Sequence, residues 1–273
     1  MPFTLDEQQV DAILAHLQVE RHEPGLAFLD ALIDAYGRRV PWESASRIVR
    51  RDELGDTEAC PRWPEHFWAE ALARGTGGTC FESNLAFFTL LQALGFHGYL
   101  TINNMLETIG CHTAIIIRLH GQPYLVDAGY PILCAMPLDT RQPTKRRTRY
   151  LDYRVSPTDN GQYLVENWPH PKPYMFHLID VPVDESTYVG ATTADYGPGG
   201  LFLDHVIIRR NVDGDVWRFD GNGVPPVLER FHGGERYVTD VSERTAEQVG
   251  NHFEIDAELL AAAFTSVERR KAG

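Results

Sequence analysis

Residues 77–95 read GGTCFESNLAFFTLLQALG, and the prediction of the fold starts from this stretch. Thr79 and Glu82 stand three residues apart, which is the spacing of a capping box, so the sequence predicts a helix with Cys80 as its first residue. Apolar residues follow at helical spacing as far as Gly95, and a glycine is typical of a helix end. The pattern predicts a rigid, buried helix that begins with a cysteine.

The start of a helix gives a cysteine a distinctive chemical environment. The first backbone N–H groups of a helix have no partner within it, and they lie at the positive end of the helix dipole. Both features favour a thiolate at Cys80, and a neighbouring imidazolium would lower the thiol pKa further. Because the thiolate is the nucleophilic form of cysteine, this environment indicates a thiol enzyme.

Partners for the thiol are found downstream, where two apolar strands flank the turn-forming segment 120–123 and predict a β-hairpin. The register set by that turn places Asp127 opposite Ala114 and makes His112 its diagonal neighbour, roughly 7 Å away on the same face. The carboxylate would hold the imidazole tautomer while the imidazole takes the thiol proton. The sequence therefore predicts a catalytic triad of Cys80, His112 and Asp127.

Other interpretations of these residues remain open. A cysteine after two glycines is often a small buried hydrophobe, and a histidine at a strand start is often an ordinary hydrogen-bonded polar group. The chain could then be a binding protein that keeps only the fold. A cysteine hydrolase of papain or transglutaminase type also has the order Cys, His, Asp, and it would release free acid without needing an amine.

The whole chain divides into three regions by pattern. Helical periodicity dominates residues 1–97, short strands with turn signals fill residues 98–175, and residues 176–273 combine strands with a final helix. The stiff, proline-rich segment 168–173 marks the crossing into the third region. The predicted fold class is α+β: an N-terminal helical bundle, a central antiparallel β-barrel-like domain and a C-terminal α/β lid. The nucleophile and its base would meet in a cleft between the first two.

Composition narrows the classes of partner. The chain has 273 residues and a formal net charge of -13, which disfavours non-specific binding of nucleic acid. Its longest apolar runs fall short of the roughly 20 residues of a membrane helix, and its N-terminus lacks the basic region of a signal peptide. The four cysteines have neither metal-ligand nor disulfide-framework spacing. We expect a cytoplasmic protein with a free thiol, no metal, and neither nucleic acid nor membrane as partner.

Several of these segments resemble one family. A Gly-Gly-x-Cys-Phe-Glu segment, a histidine that opens a strand and a Tyr-Leu-Val-Asp-x-Gly segment occur in order, at 77–82, His112 and 124–129. In these features the chain resembles the arylamine N-acetyltransferase family. Two weaker matches flank them: residues 40–44, VPWES, resemble the family's Pro-Phe-Glu-Asn, and residues 198–202, PGGLF, resemble its Pro-x-Ser-x-Phe.

The resemblance implies a cysteine-protease-like catalytic core and a ping-pong acyl transfer. An acyl group, acetyl above all, would move from a thioester donor through a Cys80 acyl-enzyme to an aromatic amine or hydrazine. Acetyl-coenzyme A is the implied cosubstrate, with no tightly bound cofactor. An amide synthase that takes a longer or carrier-protein-bound acyl chain in natural-product biosynthesis is the alternative within the family. The basic run 145–149 could bind an acidic carrier protein or a phosphate. The alternation of these basic residues with apolar ones, however, favours a solvated strand face.

Three aromatic side chains match aromatic positions in the family's motifs, and the resemblance implies that they line the substrate cleft: Trp42, Tyr130 and Phe202. Each of them could also be an ordinary core residue. The chain departs from the family at Thr76, where an arginine usually precedes the glycine pair, at Pro131 in place of a glycine, and at Gly200 in place of a serine. The last two change the backbone N–H and hydroxyl groups that a pyrophosphate or pantetheine would use.

Overall fold

The protein is represented by a computed structural model that describes residues 3–168, 173–233, 235–241 and 245–272. Residues 169–172 lie outside this set, and with them most of the proline-rich segment 168–173 that was predicted to mark the third region. Residues 242–244, just before the C-terminal helices, are also outside it.

The described residues form eight α-helices and a short 3₁₀ helix, Thr57–Ala59. Five of the α-helices precede the first long strand, in the region where the sequence predicted helical structure, and the last two described helices are α7 and α8. Their bounds are α1 Glu7–Leu17, α2 Leu26–Arg39, α3 Ala45–Leu54, α4 Pro64–Arg74, α5 Cys80–Ala93, α6 Glu185–Ala194, α7 Ala246–Phe253 and α8 Ala257–Ala272.

Helix α5 begins at Cys80 as predicted, but the predicted capping box does not form. Thr79 is the N-cap residue, and its side chain makes no capping hydrogen bond. Its hydroxyl instead accepts a hydrogen bond from Arg47, and the Glu82 carboxylate pairs with Arg62. Both arginines are buried, so they draw the two side chains away from the backbone groups that a capping box would satisfy. The first twelve residues of the helix are all buried, which confirms its place in the core.

Thirteen β-strands lie in two antiparallel sheets. Their bounds are β1 Trp42–Glu43, β2 Gly98–Met105, β3 Thr108–Leu119, β4 Gln122–Val126, β5 Met136–Pro137, β6 Thr144–Arg147, β7 Asp152–Pro157, β8 Tyr163–Trp168, β9 Tyr174–Leu178, β10 Ile207–Val212, β11 Asp215–Asp220, β12 Val227–His232 and β13 Glu235–Asp240.

The larger sheet has the strand order β5-β4-β3-β2-β9-β8-β7-β6 and is nearly closed. Its two edge strands contact each other: the Thr144 hydroxyl on β6 donates to the carbonyl of Pro137 on β5 at 2.6 Å. Apolar side chains such as Ile116, Tyr153 and Phe176 fill the interior between the strands. This sheet confirms the predicted barrel-like central region.

The smaller sheet has the order β1-β10-β11-β12-β13, so the two-residue strand β1 from the N-terminal region pairs with β10 from the C-terminal region. Trp42 of β1 also forms a parallel bridge to Gly78 in the glycine pair. These contacts place the C-terminal sheet beside the start of α5. The domain limits at residues 97 and 175 stay a prediction.

Helix α3 contributes to the core of the C-terminal region. Ile48 and Val49 of α3 pack in one apolar cluster with Leu260 of α8 and with Phe219 and Leu228 of the smaller sheet.

None of the helices within the described residues has both the length and the apolar composition needed to cross a membrane.

Candidate active site

Cys80 lies at the junction between the helical region and the barrel. Its side chain is buried, with the residue 8% exposed, and its thiol donates to the carbonyl of Cys111 at 3.5 Å. On the other side of His112, the hydroxyl of Thr113 donates to the carbonyl of Cys80 at 2.9 Å. Strand β3 is therefore docked against the start of α5 by two hydrogen bonds, one accepted by Cys111 and one donated by Thr113, the two neighbours of the histidine.

His112 and Asp127 form a buried pair at the same end of the barrel. Strands β3 and β4 have the predicted register, in which Ile115 faces Val126, and His112 Nε2 lies 2.6 Å from Asp127 Oδ2. The two side chains are 2% and 0% exposed. Because Nε2 is engaged by the carboxylate, Nδ1 is the ring nitrogen left to exchange a proton with a thiol. The structure thus joins His112 to Asp127 and places the pair at the strand end that is docked against Cys80.

The other oxygen of Asp127 is held by a set of donors. Oδ1 accepts the backbone N–H groups of Gly129 and Tyr130 at 2.9 and 2.8 Å, and the side-chain amide of Asn84 at 3.1 Å. Asn84 is fully buried and also donates to the carbonyl of Thr113 at 2.7 Å. It therefore ties α5 to β3 and to the residue that directly follows β4. Asn84 was not predicted as a site residue, although its position one helical turn after the cysteine, in an apolar helix, was an available signal.

Burial raises the pKa of the Cys80 thiol, and the carboxylates of Asp195 and Asp127 raise it further, against a lowering contribution from Arg47. This direction is opposite to the one predicted from the helix start, because loss of solvent disfavours a thiolate more than the helix end stabilises it. The thiolate therefore needs a cation beside it. Transfer of the thiol proton to the imidazole, as the sequence predicts for His112, would supply that cation.

A buried arginine supports the glycine pair. The Arg62 guanidinium donates to the carbonyl of Gly77 at 2.7 Å and to Glu82 Oε2 at 2.6 Å. Thr76, which stands where the family usually has an arginine, is also buried. Arg62 thus brings a guanidinium to this loop from a different part of the chain. It precedes α4, and no local pattern in the sequence indicated this contact.

A second buried pair connects the glycine pair to the segment that carries Phe202. Arg47 Nη1 donates to the Thr79 hydroxyl at 2.5 Å and to Asp195 Oδ2 at 2.6 Å. A Cβ atom at Gly200 would lie 1.9 Å from the carbonyl oxygen of Asp195. A serine therefore cannot replace Gly200 without a shift of the backbone, which gives this departure from the family a steric cause.

The three predicted wall residues lie around the same site, and all are half-buried. The rings of Trp42 and Phe202 meet edge to face with centroids 5.0 Å apart, and those of His112 and Tyr130 do so at 6.3 Å. Phe202 also lines an open cleft of about 640 Å³ whose lining includes Arg270 but not the cysteine. A role of the three aromatic residues in substrate binding stays a prediction.

Metal binding finds no support in the described part of the chain. It contains no group of three or more histidine, cysteine or acidic side chains that could hold a metal ion. All four cysteines are free thiols.

Gly129 is expected to be essential for the placement of Cys80. A Cβ atom at this position would lie 2.4 Å from the Cα and 2.6 Å from the Cβ of Cys80. We expect Gly129→Ala to push the start of α5 away from the barrel, which should slow alkylation of Cys80 by about a hundredfold and destabilise the fold by about 1–3 kcal/mol. Iodoacetamide kinetics and thermal unfolding measure the two effects.

The matched control for this prediction is Gly190→Ala on α6, where an added Cβ meets nothing within 4 Å. Alanine has a higher helix propensity than glycine, so this variant should be at least as stable as the original chain. Equal alkylation rates for Gly129→Ala and the unmodified protein would contradict the tight approach of residue 129 to the thiol.

Residues 25–223 match a protein-family model described as N-acetyltransferase. The match includes the glycine pair, the cysteine, the histidine, the aspartate and the segment with Phe202. It covers well over half of the chain. A search of curated proteins found no match.

Solved structures of arylamine N-acetyltransferases share this fold. The Mycobacterium marinum enzyme in complex with CoA is 16% identical, with a TM-score of 0.77 over 95% of this chain and 98% of that chain. The Salmonella typhimurium enzyme is 15% identical, with a TM-score of 0.78 over 97% and 100%. A Bacillus cereus enzyme described with a Cys-His-Glu triad is 20% identical, with a TM-score of 0.68 over 90% and 96%. At sequence identities of this size, the structural similarity shows that the fold is shared.

Proposed function

This chain belongs to the arylamine N-acetyltransferase family, and from that premise we propose that it transfers an acetyl group through a Cys80 thioester to an aromatic amine or hydrazine. Acetyl-coenzyme A is the cosubstrate of the family. The observation that carries the proposal is the buried contact of 2.6 Å between His112 and Asp127, at the strand end docked against Cys80.

In the first half-reaction the thiol proton passes from Cys80 Sγ to His112 Nδ1, and the thiolate attacks the thioester carbonyl. The oxyanion of the tetrahedral intermediate is held by unpaired backbone N–H groups at the start of α5. Collapse of the intermediate breaks the bond to the sulfur of coenzyme A, which takes the proton from the imidazolium. The products are the acetyl-cysteine and the free coenzyme thiol.

In the second half-reaction the amine nitrogen attacks the acetyl carbonyl, and His112 takes the proton that the nitrogen gives up. The Cys80 thiolate leaves and recovers that proton from the imidazolium, so the site returns to its starting state. Asp127 stabilises the imidazolium in both half-reactions. Aromatic amines are suited to this step because they are uncharged at neutral pH and can pack against Trp42 and Tyr130.

Intact-protein mass spectrometry tests the proposal directly. The protein is mixed with acetyl-coenzyme A and then with an arylamine, and its mass is followed through both additions. We expect an acetyl adduct on Cys80 that disappears as the acetylated amine accumulates. Loss of the adduct to water without an amine would instead indicate a hydrolase, and a reactive Cys80 that never takes acetyl would indicate a longer or carrier-bound acyl donor.

A further inference from the structure

Arg47 on α3 and Asp195, which directly follows α6, form a buried ion pair beside the start of α5. The guanidinium donates from Nη1 to Asp195 Oδ2 and from Nη2 to the Asp195 carbonyl, each at 2.6 Å. The two side chains are 0% and 15% exposed. A buried ion pair often adds little to stability, because both charges lose their water. Its place beside the thiol therefore points to a role in the site.

The pair is joined to the nucleophile through the residue before it. Arg47 Nη1 also donates to the hydroxyl of Thr79 at 2.5 Å, and Thr79 is the N-cap residue that directly precedes Cys80. Burial raises the pKa of the Cys80 thiol, Asp195 and Asp127 raise it further, and Arg47 lowers it. The thiol therefore responds to both members of the pair, in opposite directions.

Asp195 also holds the segment that carries Phe202. Its Oδ1 accepts the backbone N–H of Leu201 at 3.3 Å, while Oδ2 accepts from Arg47. A change at Asp195 can thus affect turnover by moving this segment as well as by changing the charge near the thiol. Turnover alone does not separate the two effects, so the ionisation of the thiol has to be measured itself.

The other charged or titratable side chains around the thiol and the pair have partners of their own or are neutral. They are Glu82, Arg62, Tyr188, Tyr196, His112 and Asp127. Glu82 pairs with Arg62 at 2.6 Å, and His112 pairs with Asp127. Burial raises the pKa of both tyrosines, so they carry no charge at neutral pH. Arg47 and Asp195 are thus two opposite charges that can be changed without replacing a residue of the triad.

We propose that Arg47 is a positioning residue for the acyl transfer, that its buried positive charge favours the Cys80 thiolate, and that Asp195 limits this effect. The inference rests on Cys80 as the nucleophile of the proposed function. The hydrogen bond to Thr79 fixes the guanidinium relative to the start of α5. With the carboxylate of Asp195 in place, this charge acts on the thiol only in part, so uptake of the proton by His112 remains necessary.

The test measures the rate of alkylation of Cys80 by iodoacetamide as a function of pH, followed on the Cys80 peptide by mass spectrometry. Asp195→Asn removes the negative charge, so the pH midpoint of the rate should fall by about one pH unit, as expected for loss of a nearby unit charge. Arg47→Gln removes the positive charge, and the midpoint should rise by a similar amount. Arg47→Lys keeps the charge and should have a midpoint close to that of the original protein.

Arg210→Gln is the matched control, because Arg210 is also buried, pairs with Glu254 and donates to the carbonyl of Arg38. It should lower the unfolding temperature and leave the pH midpoint unchanged. A merely structural role of Arg47 and Asp195 predicts the same behaviour for their variants. The proposal is therefore overturned if Asp195→Asn leaves the midpoint in place or raises it. This variant decides the question even if Arg47→Gln does not fold.

The outcome is separate from that of the acetyl-transfer test, because alkylation needs no acyl donor. An unchanged midpoint in Asp195→Asn, together with a normal acetyl adduct on Cys80, overturns this inference alone. Midpoints that shift as expected in a protein that never takes acetyl support the role of the pair at the thiol and overturn the proposed acetyl transfer.

Discussion

Replacement of Cys80 by alanine is expected to abolish formation of the acetyl-enzyme, with a loss of turnover of about 10⁴-fold or more. The Cys80 thiol lies at the start of α5 against the carbonyl of Cys111, so alanine removes the proposed nucleophile itself. Alanine removes one sulfur atom from a buried position, so unfolding should be easier by only about 1 kcal/mol. Mass spectrometry after addition of acetyl-coenzyme A measures the first effect, and thermal unfolding measures the second.

Cys111→Ala is the matched control for that variant. Cys111 directly precedes His112 and is more exposed than Cys80, so it is the cysteine that a non-specific reagent would modify first. Its removal should leave the acetyl adduct in place, because only its backbone carbonyl contacts the thiol. An acetyl adduct that persists in Cys80→Ala at another residue would refute the mechanism.

The parts of this site that could be predicted from sequence are those encoded locally. The helix start at Cys80 follows from a short contiguous pattern, and the register that pairs His112 with Asp127 follows from the length of one turn. Both appear in the structure. The barrel-like region could be predicted for the same reason, since its strands are joined mostly by short turns.

The parts that could not be predicted depend on contacts between distant segments. Thr79 and Glu82 have capping-box spacing, but each side chain is hydrogen-bonded to a distant arginine. Arg47, 32 residues before Thr79, donates to the threonine hydroxyl, and Arg62, 20 residues before Glu82, donates to the carboxylate. Arg47 also donates to the carboxylate of Asp195, which lies 148 residues further along the chain. No pattern within a short window indicates such pairs, because each arginine alone resembles any surface cation.

The direction of the thiol pKa illustrates the same limit. The helix start is a local feature that favours the thiolate, and it was visible in the sequence. Burial and the nearby carboxylates of Asp195 and Asp127 depend on the whole fold, and they raise the pKa of the Cys80 thiol. The proposed role of His112 as the acceptor of the proton is therefore more important than the helix start alone would suggest.

Asp127→Asn is expected to keep the fold and lose most of the activity. The oxygen of an asparagine at this position would stay with the donors on Gly129, Tyr130 and Asn84, so its NH₂ group would face His112 Nε2. Nε2 would then accept a hydrogen bond, and the ring proton would move to Nδ1, where it blocks uptake of the thiol proton. A wrong tautomer of this kind costs about 10⁴-fold in a comparable triad.

The rate of alkylation of the thiol by iodoacetamide as a function of pH measures this effect. Without a base the thiol must ionise alone, and its pKa is raised by burial, so the rate in Asp127→Asn should be low at neutral pH and rise only in alkaline solution. Asp30→Asn is the control, since Asp30 pairs with Arg146 away from the site. Alkylation at neutral pH as fast as in the original protein would mean that Asp127 does not set the tautomer of His112. Thiolate formation would then rest on the helix start and not on the imidazole.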